Sequence, residues 1–314
     1  MRPNDWHDPL WVKTAHDWIS ATLDQLGTPA TGAIEEFRVR PWSVTHRVAT
    51  AAGVRWFKAN TMECAYEGPL AAALGEWTPD MVLAPLAVDD ARGWMLTADA
   101  GPTLRDVLAL DEDRRMERWA AMLAAHARLQ RAVAPRADEL MALGVPDVRV
   151  PTLPGHLASL LEDPSVRTPS VDLGAWCAEL AADGLPASLQ HDDLSDANVF
   201  PDGTGFRFFD WGDASVGHPF GVLLVALSSA AWSLGIERDA PPLLRLRDAY
   251  LEQWSDLATP RELRRSAGLA CRVGRVGRAL AWRRALRGAA LPVGDDFRTA
   301  VADWVAELPE PPVV

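Results

Sequence analysis

The spacing of apolar residues divides the chain into three parts. Near the N-terminus, apolar residues recur at the spacing of one face of an amphipathic helix, at Trp11, Ala15, Trp18 and Leu23. Short apolar runs bounded by turn residues follow, which is typical of strands. Helical spacing then dominates the rest of the chain. The pattern predicts a helical extension at residues 1–32, a small strand-rich lobe at 33–98 and a larger helical lobe at 99–314.

A hairpin is predicted within the strand-rich lobe. Residues 47–50 and 53–58 pair by pattern across a short turn, and Lys58 ends the second strand. Lys58 and Lys13 are the only two lysines, against 29 arginines. A lysine retained in such a composition indicates a place where a compact ammonium fits and a planar guanidinium does not. A phosphate-binding lysine is therefore one interpretation, and a surviving surface lysine is the other.

Residues 190–210, with the sequence QHDDLSDANVFPDGTGFRFFD, concentrate chemistry-bearing side chains. His191, Asp193 and Asn198 precede a turn and a hydrophobic strand that ends on Asp210. Phosphoryl transfer requires that nucleotide, metal and acceptor be held in line while charge is neutralised. Asp193 could accept the hydrogen bond of an attacking hydroxyl. Asn198 and Asp210 offer hard oxygen ligands for Mg²⁺.

His191 is interpreted as a residue that fixes the shape of the catalytic loop by bonding its backbone, because no nucleophile lies nearby in sequence for it to activate. A polar turn between two strands is the alternative reading of the whole segment. The flanking apolar residues Leu189, Val199 and Phe200 favour a site braced by a small buried sheet.

The segments LQHDDLSDANVF and FRFFDWGDASVGHP resemble the catalytic and metal-binding loops of the aminoglycoside phosphotransferase-like kinases, relatives of choline and homoserine kinases. The resemblance implies an α+β, bilobal protein-kinase-like fold. It also implies that Asp193 is the catalytic aspartate and that Asn198 and Asp210 bind the metal. The chain departs from the family pattern at Asp192, where many relatives have Gly, and at Ser195, where many have His.

Further nucleotide-site residues follow from the resemblance and from the local pattern. Similar kinases hold their lysine with a glutamate on the next helix, for which Glu67 is the first candidate and Glu63 the reserve. The turn at residues 40–45 occupies the place of the phosphate-covering loop but lacks glycine, so the hydroxyls of Ser43 and Thr45 could compensate. The adenine-binding hinge is expected at Leu96, Thr97 and Ala98.

Composition limits the partners. The net charge of −12 argues against nucleic acid and anionic membranes, and it is compatible with a cationic or neutral acceptor. The apolar run at residues 220–236 contains serines and is too short for a membrane span, so a buried helix is expected. Three cysteines without metal or redox spacing and a start without an apolar signal core favour a reduced cytoplasmic protein.

Nine arginines lie between residues 261 and 287, spaced three or four apart beside apolar residues. This pattern predicts a long helix with a solvated cationic face. The alternative is that some of these arginines, with Arg272 and Arg275 as candidates, bind an anionic or sugar-acid acceptor.

The sequence therefore predicts a kinase that depends on Mg²⁺ and ATP, with GTP not excluded, and that phosphorylates a hydroxyl of an aminoglycoside-like, amino-sugar or other small metabolite. The competing hypothesis is a catalytically silent, nucleotide-binding regulatory relative. The oligomeric state is not indicated.

Overall fold

The computed structural model describes residues 6–203 and 205–312. Residues 1–5, which were read for a signal core, and Thr204 in the predicted turn lie outside the described residues. The strands are β1 (Ala30–Arg40), β2 (Ser43–Thr50), β3 (Gly53–Asn60), β4 (Ala87–Asp89), β5 (Trp94–Ala98), β6 (Ser188–Gln190), β7 (Val199–Asp202), β8 (Gly205–Phe208) and β9 (Ser215–Gly217). The helices are α1 (Pro9–Gln25), α2 (Glu67–Trp77), α3 (Leu104–Leu110), α4 (Arg115–Val133), α5 (Ala137–Ala142), α6 (Leu153–Leu160), α7 (Leu173–Ala181), α8 (Leu223–Leu234), α9 (Pro241–Leu251), α10 (Pro260–Arg287), α11 (Asp295–Arg298) and α12 (Ala300–Ala306).

The first five strands form one antiparallel sheet in the order β1-β2-β3-β5-β4. The predicted hairpin is confirmed, since Thr50 of β2 pairs with Gly53 of β3. Because successive side chains of a strand point to opposite sides, the sheet has two different faces. One face carries Val44, Phe57 and Leu96, which are fully buried. The other face carries Lys58, which lies opposite Thr45 on β2.

Helix α1 covers the apolar face of this sheet. Asp8 caps its N-terminus by accepting hydrogen bonds from the backbone of Leu10 and Trp11, and Pro9 occupies the first turn. Ala15 and Leu23 of the predicted face are fully buried. Trp18 contacts Phe57 at a ring distance of 5.7 Å. The amphipathic pattern therefore marked the correct face of the helix.

The remaining helices enclose a second core, in which two short hairpin-like sheets hold the polar segment at residues 190–217. Strand β6 pairs with β9, and β7 pairs with β8. The apolar run after this segment forms α8, with Leu223 and Leu227 fully buried, as expected of a core helix. Among the described residues, no helix combines the length and apolar character that a membrane crossing requires.

The turn between β1 and β2 is joined to the C-terminal part of the chain. The carbonyl of Pro41 accepts a hydrogen bond of 2.6 Å from the backbone nitrogen of Ala290. The ring of Trp42 lies 5.6 Å from that of Trp282 on α10 and 5.5 Å from that of Phe297 on α11. These contacts, the β1–β2 clasp, connect the strand-rich lobe to the helical lobe at a place distant in sequence from the connection after β5.

Candidate active site

Lys58 lies at the meeting point of three elements. Its Nζ atom is 2.8 Å from Oε1 of Glu67 at the start of α2 and 2.5 Å from Oδ1 of Asp210, which follows β8. The sequence singled out all three residues, and the structure brings them together. The side chain of Lys58 is 18% exposed, whereas that of Glu67 is completely buried. Two carboxylates thus hold the ammonium, and part of the lysine side chain remains exposed.

Glu67 is surrounded by hydrogen-bond donors. Besides Lys58, the amide of Asn60 donates to Oε2 at 2.7 Å and the backbone nitrogen of Trp211 donates to Oε1 at 3.1 Å. Burial raises the pKa of Glu67, although the Lys58 ammonium opposes this shift. The reserve candidate Glu63 does not contact Lys58; its carboxylate lies against Gly288. The geometry therefore agrees with the choice of Glu67 over Glu63.

Asp210 occupies a conformation that is uncommon for an aspartate. Its φ is 66°, in the left-handed region, immediately after the strand-like residue Phe209. Burial would raise its pKa, but the charge and hydrogen bond of Lys58 hold the pKa of Asp210 below its usual value. The carboxylate is accordingly kept ionised, as a metal ligand must be.

His191 is completely buried behind this turn. Its Nε2 lies 2.9 Å from the carbonyl oxygen of Phe209, and because a carbonyl only accepts, Nε2 carries the hydrogen. The ring also packs against Trp211 at a centroid distance of 4.6 Å. These contacts attach the catalytic loop to the backbone beside Asp210, which is the kind of contact that the sequence interpretation gave to this histidine.

Asp193 and Asn198 face each other across one turn of the catalytic loop. The amide nitrogen of Asn198 donates to both the carbonyl oxygen and Oδ2 of Asp193, each at 2.9 Å. Burial, reinforced by the carboxylate of Asp213, raises the pKa of Asp193 to about 7, while the guanidinium of Arg278 opposes the shift. A carboxylate with a pKa near neutrality is suited to exchange a proton with a hydroxyl.

The remaining oxygen atoms of this site fit a Mg²⁺ ion. Asn198 uses its amide nitrogen for both bonds to Asp193, and Asp210 uses Oδ1 for Lys58, so Oδ1 of Asn198 and Oδ2 of Asp210 bond to no described residue. Amide and carboxylate oxygens are the ligands that Mg²⁺ prefers. Among residues 6–203 and 205–312, no three His, Cys, Asp or Glu side chains form a metal cage. Mg²⁺ suits such an open site because it usually takes further ligands from phosphate and water.

The residues predicted to contact the nucleotide lie on two different faces of the sheet. Ser43 pairs with Asn60 and Thr45 pairs with Lys58, so both hydroxyls lie on the lysine face of the sheet. Thr97 pairs with Trp56 and is on the same face. Leu96 is not, because its side chain is buried under α1 and its carbonyl accepts from the backbone nitrogen of Leu86.

Thr97 and Ala98 lie beyond the end of the β4–β5 pairing, which stops at Leu96, and pair only with β3 among the described strands. Ala98 is the last residue of β5, and Gly101 follows with a φ of 81°. The β4 side of the backbone is therefore open to a main-chain contact at Thr97 and Ala98, whereas the carbonyl of Leu96 already accepts from Leu86.

Sequence reasoning missed several residues around the site. Tyr66 donates from its hydroxyl to the carbonyls of Gly212 at 2.6 Å and Ala214 at 3.1 Å, so it supports the metal loop. Asn60 could have been found, because it follows Lys58 by two positions and therefore shares its face of the strand. The contacts of Tyr66 could not be predicted from the sequence, since its partners are backbone carbonyls far away along the chain.

Helix α10 is present as predicted, but its arginines are arranged differently from a uniformly solvated face. Arg275 and Arg278 are buried. The Nη groups of Arg275 donate to the carbonyls of Glu310 and Pro311. Arg272 stacks over Trp176. Neither of these two arginines, the candidates for acceptor binding, faces Asp193. The arginine that reaches the catalytic loop is Arg278.

The five-stranded lobe, the helical lobe and the residues between them define a bilobal, protein-kinase-like phosphotransferase. The chain belongs to the phosphotransferase enzyme family, whose sequence model matches residues 70–265. This match covers more than half of the chain and includes Asp193, Asn198 and Asp210, whereas Lys58 and Glu67 precede it. The resemblance and the fold class inferred from the sequence are thereby confirmed, and the protein is a phosphotransferase that acts on a hydroxyl acceptor.

Solved structures of similar fold cover nearly the whole chain. The chain is similar to an ethanolamine kinase of Plasmodium vivax (TM-score 0.65, 12% identity, 99% of this chain and 91% of that chain). It is also similar to a macrolide 2'-phosphotransferase type I (0.59, 13%, 93% and 96%) and to the GDP complex of aminoglycoside 2'-phosphotransferase-IIIa (0.60, 14%, 94% and 98%). A comparison with curated proteins gave no significant sequence match. At these identities the likeness concerns the fold.

Proposed function

We propose that this protein is a Mg²⁺- and ATP-dependent small-molecule kinase that transfers the γ-phosphoryl group to a hydroxyl of an aminoglycoside-like, amino-sugar or other small metabolite. The observation that carries the proposal is the double contact of Lys58 with Glu67 and Asp210. It joins a strand, a helix and a loop at the place where Asp193 and Asn198 also meet. A chain without catalysis has no chemical need to keep these groups together.

In the proposed reaction, the acceptor hydroxyl donates a hydrogen bond to Asp193. Its oxygen forms a bond to the γ-phosphorus while the bond from that phosphorus to the β,γ-bridging oxygen breaks, and the proton passes to Asp193. Lys58, held by Glu67, neutralises charge on the phosphate oxygens. Mg²⁺, held by Asn198 and Asp210, would supply further neutralisation and alignment of those oxygens. His191 keeps the loop that carries Asp193 in place.

The hinge backbone bears on the choice of nucleotide base, and the net charge bears on the class of acceptor. The expected hinge contacts at Thr97 and Ala98 are main-chain contacts, which do not by themselves separate ATP from GTP. A structure of similar fold, aminoglycoside 2'-phosphotransferase-IIIa, is a GDP complex, so both nucleotides belong in the assay. The net charge of −12 favours cationic or neutral acceptors, such as amino sugars, over anionic ones.

The test is acceptor-stimulated release of ADP or GDP by the purified protein with Mg²⁺, across aminoglycosides, macrolides, amino sugars, sugars, choline, ethanolamine and homoserine. Asp193→Asn is run beside the wild type, because general-base assistance contributes about 10²–10⁴-fold. We expect this variant to lose most stimulated turnover and to retain nucleotide binding. Asp202→Asn, an exposed acid paired with Arg207 in the adjacent hairpin, is the matched control. Equal turnover in Asp193→Asn and the control would refute the assignment of Asp193.

A further inference from the structure

Arg278 differs from the other arginines of α10 in what it contacts. Its Nη1 atom donates to the carbonyl oxygen of Asp192 at 2.5 Å and to Oδ2 of Asp213 at 3.0 Å. Asp192 immediately precedes Asp193 in the catalytic loop, and Asp213 follows Asp210 in the metal loop. One nitrogen atom therefore joins the two loops that carry the proposed base and the proposed metal ligand.

Asp192 distinguishes this loop from that of many similar kinases. It has a φ of 56°, a left-handed conformation that glycine adopts without strain, and it stands where many similar kinases have Gly. Its carboxylate is buried and accepts a hydrogen bond from Ser215 on β9. The chain has thus placed an additional acid beside Asp193, in a backbone conformation that requires support.

Arg278 compensates this group of acids together with Arg284, whose Nη2 donates to the carbonyl oxygen of Asp213 at 3.4 Å. Asp192, Asp193 and Asp213 all interact electrostatically with the guanidinium of Arg278. Its side chain is only 8% exposed and is covered by the ring of Trp304, so it does not present its charge to solvent or to a large ligand. A buried cation that bonds two loops constrains both of them, because moving either loop would leave charge unpaired.

We propose that Arg278 is a positioning residue for the transfer reaction: it bonds Asp192 and Asp213 and thereby fixes Asp193 relative to Asp210. This inference rests on the proposed function of the same site. It assigns to the arginine-rich helix a role in alignment of the reacting groups and not in acceptor binding. Since a misplacement of about 1 Å can cost about 10²-fold in rate, a loose loop should reduce kcat more than substrate affinity.

The experiment compares Arg278→Met with Arg275→Met, which removes an equally buried arginine on the same helix whose partners are the carbonyls of Glu310 and Pro311. We expect Arg278→Met to lower kcat about 10- to 100-fold while the nucleotide Kd changes less than about 3-fold. Arg275→Met should leave kcat near the wild-type value. Equal effects of the two variants on kcat would overturn the proposal.

Two further variants separate positioning from general destabilisation. Arg278→Lys keeps one charged donor, so it should retain more kcat than Arg278→Met; if Arg278→Met does not fold, Arg278→Lys is compared with Arg275→Lys in the same way. In the Asp213→Ala background, the loss caused by Arg278→Met should be smaller, because the carboxylate that Arg278 bonds is gone. The same loss in both backgrounds would contradict the pairing.

Hydrogen exchange distinguishes failure of this proposal from failure of the proposed function. Arg278→Met should increase amide exchange in residues 190–198 and 210–217, and Arg275→Met should not, whether or not an acceptor is known. If the wild-type protein shows no stimulated turnover, the kinase proposal is refuted. Hydrogen exchange then still tests whether Arg278 holds the two loops. Unchanged exchange in both loops would refute the positioning role by itself.

Discussion

Lys58 and Asp210 are 152 residues apart in sequence, yet Nζ of Lys58 lies 2.5 Å from Oδ1 of Asp210. This ion pair spans the two lobes, because Lys58 belongs to the five-stranded sheet and Asp210 to the loop after β8. Glu67 holds the same ammonium from the side of α2. Mutation of each of these three residues therefore tests the geometry of the site.

Replacement of Lys58 should disable the site. Lys58→Met removes the ammonium, and Lys58→Arg substitutes a planar group where Glu67 and Asp210 both grip a compact one. Both variants are expected to lose about 100-fold or more in kcat/KM for the nucleotide, measured by steady-state kinetics. Lys13→Met alters the other lysine, which is exposed on α1 and paired with Asp17, and should behave as wild type. A fully active Lys58→Arg variant would contradict the fit to a compact ammonium.

Asp210→Ala should change the dependence on Mg²⁺. The variant removes one of the two proposed metal ligands and leaves Lys58 bound to Glu67. We expect the Mg²⁺ concentration for half-maximal nucleotide binding, measured by titration calorimetry, to rise by at least about 10-fold. Asp202→Ala removes an exposed acid from the neighbouring hairpin and serves as control. An unaltered Mg²⁺ titration in Asp210→Ala would exclude Asp210 as a ligand.

Glu67→Gln should lower stability as well as activity. The carboxylate is completely buried and accepts bonds from Lys58, Asn60 and the backbone of Trp211, so loss of its charge leaves these donors poorly matched. Breaking a buried ion pair typically costs about 3–5 kcal/mol, and we expect a reduction of about 3 kcal/mol in the unfolding free energy by urea titration. Glu63→Gln changes an exposed acid that does not touch Lys58 and should cost less than about 0.5 kcal/mol. Similar losses in the two variants would argue against the special role of Glu67.

His46 should make the fold sensitive to acid. Burial, and next the neighbouring His16, lower the pKa of His46 to about 4. The unfolded chain takes up this proton below about pH 6.5, whereas the folded protein does so only near pH 4, so stability falls as the pH decreases through this interval. At pH 5 the loss due to His46 is about 2 kcal/mol. In His46→Phe, the difference between unfolding free energies at pH 7.5 and pH 5 should shrink by that amount, and an unchanged difference would refute the assignment.

Local patterns, together with the family resemblance, were sufficient to single out the residues that the structure brings together. Asp193, Asn198 and Asp210 lie on one segment with fixed spacing, and Lys58 stood out because lysine is rare in this chain. Glu67 followed from the next helix. The structure places all five around one cleft, although their individual roles stay predictions.

Properties that depend on how distant elements meet could not be predicted. The side chain of Leu96, one of the expected hinge residues, lies on the face opposite Lys58, and this orientation depends on the register of β5 against β3, where Leu96 pairs with the buried Phe57. Likewise, nine arginines share one helical pattern. The rotation of α10 against loops about 65–86 residues away determines that Arg278 is the one that contacts both Asp192 and Asp213. Sequence spacing fixes which residues share a helix face, not which neighbour that face meets.

The β1–β2 clasp also sets the population of open molecules. To separate the turn from the helical lobe, the protein must break the hydrogen bond between Pro41 and Ala290 and the contacts of Trp42 with Trp282 and Phe297. One hydrogen bond and two aromatic contacts are together worth about 3 kcal/mol. At about 1.4 kcal/mol per tenfold change, these contacts alone would hold the open form to roughly one molecule in a hundred in the absence of ligand. A ligand that requires that opening binds with its intrinsic affinity reduced by the same factor.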